Sequence, residues 1–171
     1  MTLTDAQIDR YSRQIIVPRI GGRGQERMLA ARMLLVGDAR DIEVPRAYLA
    51  GAGVGTIVTV ADQSAGRFDL ALAIIGTDAA RKIVDEVVGN REVQALIVAR
   101  LDAPGRIAVI PDGHSVEASM LTEVATRSEA ADFIAMLATA EAFKLLAGYA
   151  ENPSPATIDF DGFGTTVRVH Q

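Results

Sequence analysis

No cysteine occurs among the 171 residues. Disulfides, thiolate nucleophiles, persulfide carriers and Cys-ligated zinc are therefore excluded. Tryptophan is absent too, and aromatics make up 5% of the chain. The two histidines, His114 and His170, stand too far apart to suggest a metal site, and each reads as a solvated side chain. No apolar run approaches the about 20 residues that span a bilayer. The start, with Asp5 and Asp9, has no apolar signal core. Excess positive charge is also missing: the net charge is −5, which argues against a partner held by nucleic-acid phosphates. The expectation is a soluble, cytoplasmic protein with no membrane, nucleic-acid or zinc partner. Apolar residues at 49% and charged residues at 23% suit an ordinary globular fold. The length suits one domain over 1–171 with a sizeable core.

Hydrophobic periodicity gives an alternating order of elements. Thr4-Asp5-Ala6-Gln7 has the form of a capping box and starts a short helix through about Ser12. Gly21, Gly22 and Gly24 suggest a loop, followed by helical character over Gln25 to Arg32. Met33 to Gly37 reads as a buried strand, and a helix over roughly 41–52 follows, with Pro45 near its first turn. Thr56 to Val60 is β-branched, and Leu70 to Ile75 is a continuous apolar run, the mark of a buried parallel strand. Asp78 to Val88 is helical and closed by Gly89-Asn90. Strands are expected at Ala95 to Ala99 and Arg106 to Ile110, the latter ended by Pro111-Asp112-Gly113. Helix is expected from about Ser115 to Gly148, with Phe133 to Leu146 buried. Ala150 to Pro155 is the one plausible hinge. Thr157 to Phe160 and Thr165 to Val169 flank a terminal hairpin turn. The fold class is α/β, a Rossmann-like, doubly wound, mostly parallel sheet with a C-terminal antiparallel hairpin.

What is missing from the first strand–turn–helix is glycine. A nucleotide site at such a turn needs one glycine for the bend and others so that bare backbone reaches the phosphates. Here only Gly37 remains, and Asp38-Ala39-Arg40-Asp41-Ile42-Glu43 follows. Ala39, Arg40 and Ile42 add side chains where backbone would touch phosphate. Asp38, Asp41 and Glu43 are expected to cap the helix and to repel an anion from its start. The plain reading is a capped βα turn without a ligand.

Several segments together resemble the ThiF/MoeB/HesA family of ubiquitin-activating-like adenylyltransferases. They are Arg10-Tyr11-Ser12-Arg13-Gln14, Gly24-Gln25-Glu26, Leu34-Leu35-Val36-Gly37, Tyr48-Leu49-Ala50 and Gly53-Val54-Gly55. The second half agrees in order: Gly76-Thr77-Asp78, Gly105-Arg106-Ile107-Ala108-Val109, Ala140-Glu141-Ala142-Phe143-Lys144-Leu145-Leu146-Ala147-Gly148, and Ile158-Asp159-Phe160-Asp161-Gly162. The likeness covers nearly the whole chain, interrupted by two deletions.

In that family, ATP adenylates the C-terminal glycine of a small ubiquitin-fold carrier protein. The resemblance implies that Arg13 matches a phosphate-reaching arginine, contributed across a dimer, and Asp78 a catalytic aspartate assisting magnesium. Gly37 and Arg40 fall in the phosphate loop. The ribose-binding aspartate falls on Ala61, or on Asp62 after a one-residue slip. The lysine-bearing segment after the second strand is missing, as are the zinc cysteines. Residue by residue, plainer roles stand beside these. Arg13 is a helix-end arginine pairing with Asp9 or a dimer partner, Asp78 is the N-cap of its helix, and Lys144 is a snorkelling side chain.

Adenylyl chemistry depends on preorganised positive charge and a metal, and losing one such donor costs about 10²–10³ in rate. Losing several favours a non-catalytic, dimeric interaction module, a homodimer or a heterodimer with a complete relative, with no bound cofactor. The apolar helix over 133–146 and the Arg-rich stretch 10–32 fit such pairing. A divergent adenylyltransferase using ATP and magnesium, and a small anionic-metabolite binder using Arg40 or Arg13, are the alternatives.

Overall fold

The structure is a computed structural model, and it describes residues 2–60, 66–89, 93–111, 114, 116, 120, 122–149, 156–160 and 165–169. The elements in chain order are α1 (Asp5–Ile15), α2 (Gly21–Ala30), β1 (Arg32–Gly37), α3 (Ala39–Ala52), β2 (Thr56–Thr59), β3 (Leu70–Ile75), α4 (Asp78–Gly89), β4 (Ala95–Arg100), β5 (Gly105–Pro111), α5 (Ala131–Leu146), β6 (Ala156–Phe160) and β7 (Thr165–Val169).

The strands form one seven-stranded sheet in the order β2-β1-β3-β4-β5-β6-β7. β2, β1, β3 and β4 run parallel. From β5 onward each strand is antiparallel to its neighbour. The antiparallel part is thus larger than the expected terminal hairpin, because β5 already reverses against β4. The hairpin turn at 161–164 and the hinge expected at Ala150 to Pro155 lie outside the described residues.

The continuous apolar runs are explained by burial on both faces. Along β1 and β3, Met33, Leu35, Leu70, Leu72 and Ile74 face a core shared with α2, α3 and α5. The intervening Leu34, Val36, Ala71, Ala73 and Ile75 face a second core with Val84 of α4. Period-two alternation sends successive side chains to opposite faces, so a strand covered on both sides has no polar position left.

Three expectations are corrected. The Gly21-Gly22-Gly24 stretch is helical, the start of α2, rather than a loop. Tertiary approach overrides glycine's weak helix propensity here: a Cβ on Gly24 would lie 2.9 Å from the carbonyl oxygen of Ala147, so only glycine lets α2 and the end of α5 come together. Pro45 sits inside α3, past its first turn, because α3 starts at Ala39 rather than about 41. Helix over Ser115 to Gly148 shrinks to α5 alone. Residues 122–128 are non-helical, and Asp102 forms a β-bridge with Arg127. Their backbone is claimed by side chains from elsewhere, as described below.

The capping box stands as expected: the Thr4 hydroxyl accepts from the Gln7 N–H at 3.3 Å, and Gln7 Oε1 accepts from the Thr4 N–H at 2.9 Å. α1 then runs on to Ile15. Phe133, expected to be buried, is 59% exposed and meets Phe160 edge-on with ring centroids 6.2 Å apart. The opposite face of α5, with Ile134, Ala138 and Ala142, is fully buried.

Candidate functional site

The C-terminal ends of β1 and β2 open onto a cleft of about 910 Å³. It is lined by Leu35 and Gly37 of β1, by the inner face of α3 from Ala39 to Ala50, by Thr59 and Val60, and by Ile83 of α4. This is the crevice in which open α/β sheets hold ligands. Gly37 has φ +154°, and a Cβ there would lie 2.7 Å from the Ile74 carbonyl oxygen and 2.8 Å from Ile42 Cγ2. Its glycine is therefore required by packing, and Ile42 fills space that a second small residue would leave open.

The carboxylates at this turn do not act as expected. Asp38 stands at the N-cap position of α3, but its side chain makes no bond to the helix backbone. It accepts instead from the Thr77 hydroxyl at 2.6 Å. Asp41 turns inward, with its side chain 3% exposed, and accepts from Arg127 Nη1 at 2.6 Å. The other arm of Arg127 reaches Asp132 at 2.8 Å. Asp41 is thus a buried ion-pair member rather than a solvated cap.

A second polar cluster lies one strand along. Thr77, not Asp78, caps α4: its hydroxyl accepts from the Ala80 N–H at 3.2 Å. Asp78 is the first residue of α4 and accepts from the Val124 N–H at 3.0 Å and from Arg81 Nε at 3.3 Å. The Val124 N–H, followed by Arg81, holds the Asp78 carboxyl below the ordinary carboxylate range against a counteracting burial effect. Arg100 is buried at the end of β4. Its Nε and Nη2 meet the two oxygens of Asp102 at 3.0 and 2.5 Å. The same guanidinium donates to the carbonyls of Thr122 and Glu123, each at 3.0 Å, and to the Thr122 hydroxyl at 2.6 Å. The Ala125 N–H donates to Asp102 at 3.1 Å. Burial works against the Asp102 charge, but Arg100 and the Ala125 N–H outweigh it and hold the carboxyl below its usual value. Together Asp78, Arg100 and Asp102 strap residues 122–125 across the ends of β3 and β4, which is why that stretch is not helix.

Of the residues singled out from sequence, Gly37 and Arg40 line the cleft. Asp78 is tied to the strap. Arg13 is exposed in the last turn of α1 and does not line the cleft. Its expected pairing with Asp9 is not made among the described residues. Asp62 lies outside the described residues. Lys144 pairs with Glu141 at 2.6 Å. Sequence reading missed Arg46, which lines the cleft beside Arg40, and Arg127. The first could have been found from helical spacing on α3. The second was hidden because its buried partner, Asp41, lies 86 positions away.

No family model matches the chain. The chain is 39% identical over 79 residues to a SAMP-activating enzyme E1 of Haloferax volcanii, a match covering 46% of this chain and 29% of that protein. It is 52% identical over 56 residues to an adenylyltransferase and sulfurtransferase uba4 of Pyricularia oryzae, covering 32% of this chain and 11% of that one. The chain thus spans less than a third of the length of these curated relatives. Among solved structures, PaaA aligns with a TM-score of 0.60 at 13% identity, covering 98% of this chain and 84% of its own. E. coli MccB, solved with AMPCPP and MccA, aligns with a TM-score of 0.64 at 12% identity, covering 94% and 71%. At that identity the structural likeness speaks for the fold alone, a parallel core with antiparallel C-terminal strands.

Proposed function

Starting from a ThiF/MoeB-family member, which these partial matches support, we propose that the chain is a non-catalytic, dimeric interaction module built on an adenylyltransferase scaffold. The observation that carries this reading is the turn after β1. Where phosphates need bare backbone, Ile42 packs onto Gly37, Asp41 is committed to Arg127, and Asp38 is committed to Thr77. Asp78, the match for a metal-assisting aspartate, is engaged by Val124 and Arg81. Catalysis of this class rests on preorganised positive charge at the phosphates. The described lining of the cleft contains no lysine.

Exposed apolar groups support a role through contacts. Ile8, Ile16 and Val17 stand out on and after α1, and Val44 and Tyr48 share one stripe of α3. β7 is a sheet edge with all five residues exposed, among them Val167 and Val169. Such edges invite pairing unless protected. The apolar face of α5 is consumed within the chain and so contributes little to a dimer. The family resemblance makes a ubiquitin-fold carrier protein the partner class to try first.

The test is ATP–pyrophosphate exchange with a panel of carrier proteins, for which no exchange is expected; exchange with any of them overturns the non-catalytic part. Sedimentation at micromolar concentration is expected to give a dimer, and a monomer counts against the dimeric part. A divergent adenylyltransferase is the competing reading, favoured by the relatives' names. It requires that Arg13→Ala and Asp78→Asn each abolish exchange.

A further inference from the structure

The cleft above α3 is closed to a triphosphate on charge but not on space. Its volume of about 910 Å³ lies within the range of small-molecule sites, about 300–1,000 Å³. Its walls are apolar: Leu35, Ile42, Ala47, Ala50, Val60 and Ile83. Its charged lining residues are Arg40, Arg46 and Glu43, a net of one positive charge among the described residues. That balance suits a single anionic head and opposes the several charges of a nucleoside triphosphate.

Arg40 and Arg46 are both exposed on the cleft side of α3. Neither makes a hydrogen bond or ion pair among the described residues. This differs from Arg100, Arg106 and Arg127, each of which is committed to a carboxylate. Guanidinium groups match phosphate oxygens in a two-pronged geometry that an ammonium cannot reproduce.

We propose that this cleft binds a small non-nucleoside phosphomonoester with a compact apolar or aryl body, its phosphate held by Arg40 and Arg46 and its body by Ile42, Val60 and Ile83. This rests on the non-catalytic reading in one respect, that no triphosphate occupies the cleft. A side chain at position 40 would obstruct a backbone phosphate cradle. Here it becomes the anion contact.

The test is calorimetric titration with phenyl phosphate as the probe, with inorganic phosphate, benzyl alcohol and AMP as parallel arms. Phenyl phosphate is expected to bind saturably with Kd of about 0.1–1 mM, and inorganic phosphate and benzyl alcohol at least about tenfold more weakly, since each lacks half of the contacts. Arg40→Ala and Arg46→Ala are each expected to weaken it by about tenfold, the scale of one charge-assisted contact, with no change in melting temperature. No saturable binding, or binding indifferent to both substitutions, overturns the proposal. AMP binding more than about tenfold tighter than phenyl phosphate overturns the choice of occupant, since base recognition would then hold the ligand. Pyrophosphate exchange is a separate readout: exchange would sink the non-catalytic reading and with it the premise that no triphosphate occupies the cleft, whereas no exchange together with no saturable phenyl phosphate binding overturns this proposal alone.

Discussion

Replacing Arg100 with methionine keeps an apolar stem of similar length and removes the guanidinium from a site where the residue is 5% exposed. Asp102, also 5% exposed, then loses both of its arginine contacts and keeps the Ala125 N–H of the strap. Breaking a buried pair by removing one member costs about 3–5 kcal/mol, because the remaining charge is left desolvated. The carbonyls of Thr122 and Glu123 also lose their donor, but both residues are exposed and water replaces it at little cost. The expected loss is therefore about 4 kcal/mol at pH 7, or a fall in Tm of about 8–16 °C for a chain of this size. The pH response has a definite sign. In the native protein the Asp102 carboxyl is held down, so its contribution is present above the unfolded pKa of about 3.9 and is lost as pH falls through the folded value. In Arg100→Met, burial is opposed only by backbone N–H donors such as that of Ala125, so the carboxyl rises from its native value and acid relieves part of the defect. Urea unfolding of both proteins at pH 7 and pH 4 should show the gap narrowing in acid. The double variant Arg100→Met with Asp102→Leu should regain part of the loss. A loss under about 1 kcal/mol, or a gap that widens in acid, would refute the reasoning.

Gly37→Ala should cost about 2 kcal/mol or more, since the Cβ meets the Ile74 carbonyl at φ +154°, and thermal melts read this directly. Thr77→Ala removes both the α4 cap and the bond to Asp38; a loss of about 1–2 kcal/mol is expected in urea, and no loss would show that Thr77 is not the cap. Asp78 is held low by Val124 and Arg81, so its tie to the strap weakens as pH falls. Hydrogen exchange at the Val124 amide should accelerate on acidification, and Asp78→Ala should show that faster exchange already at neutral pH. Tyr48→Ser with Val44→Ser should shift a dimer toward monomer in sedimentation while leaving the melting temperature of the monomer unchanged, because both side chains are more than half exposed.

The strands were legible because burial on both faces leaves them uniformly apolar. β3 runs Leu70–Ile75, the same bounds that the apolar run of the sequence suggests. The start of α1 was legible because a capping box is a local signal. The glycine-rich start of α2 was not, since its cause is the Ala147 backbone far along the chain. The stretch 122–130 has helix-compatible composition. Arg100, Asp102 and Asp78, each more than twenty positions away in sequence, take its backbone groups into other bonds. At the site, the loss of glycines after Gly37 was readable directly. The inward turn of Asp41 was not, because its partner Arg127 lies 86 positions on. Long-range ion pairs leave no periodic trace, whereas packing faces and caps do.

Calorimetric titration with magnesium ATP separates the scaffold from the enzyme in a single experiment. A non-catalytic module, with side chains filling the turn after β1 and one net positive charge in the described lining of the cleft, gives no saturable heat below millimolar ATP. Binding at micromolar strength would contradict it, and would make Arg13 and Asp78 the first residues to substitute in search of an adenylyltransferase.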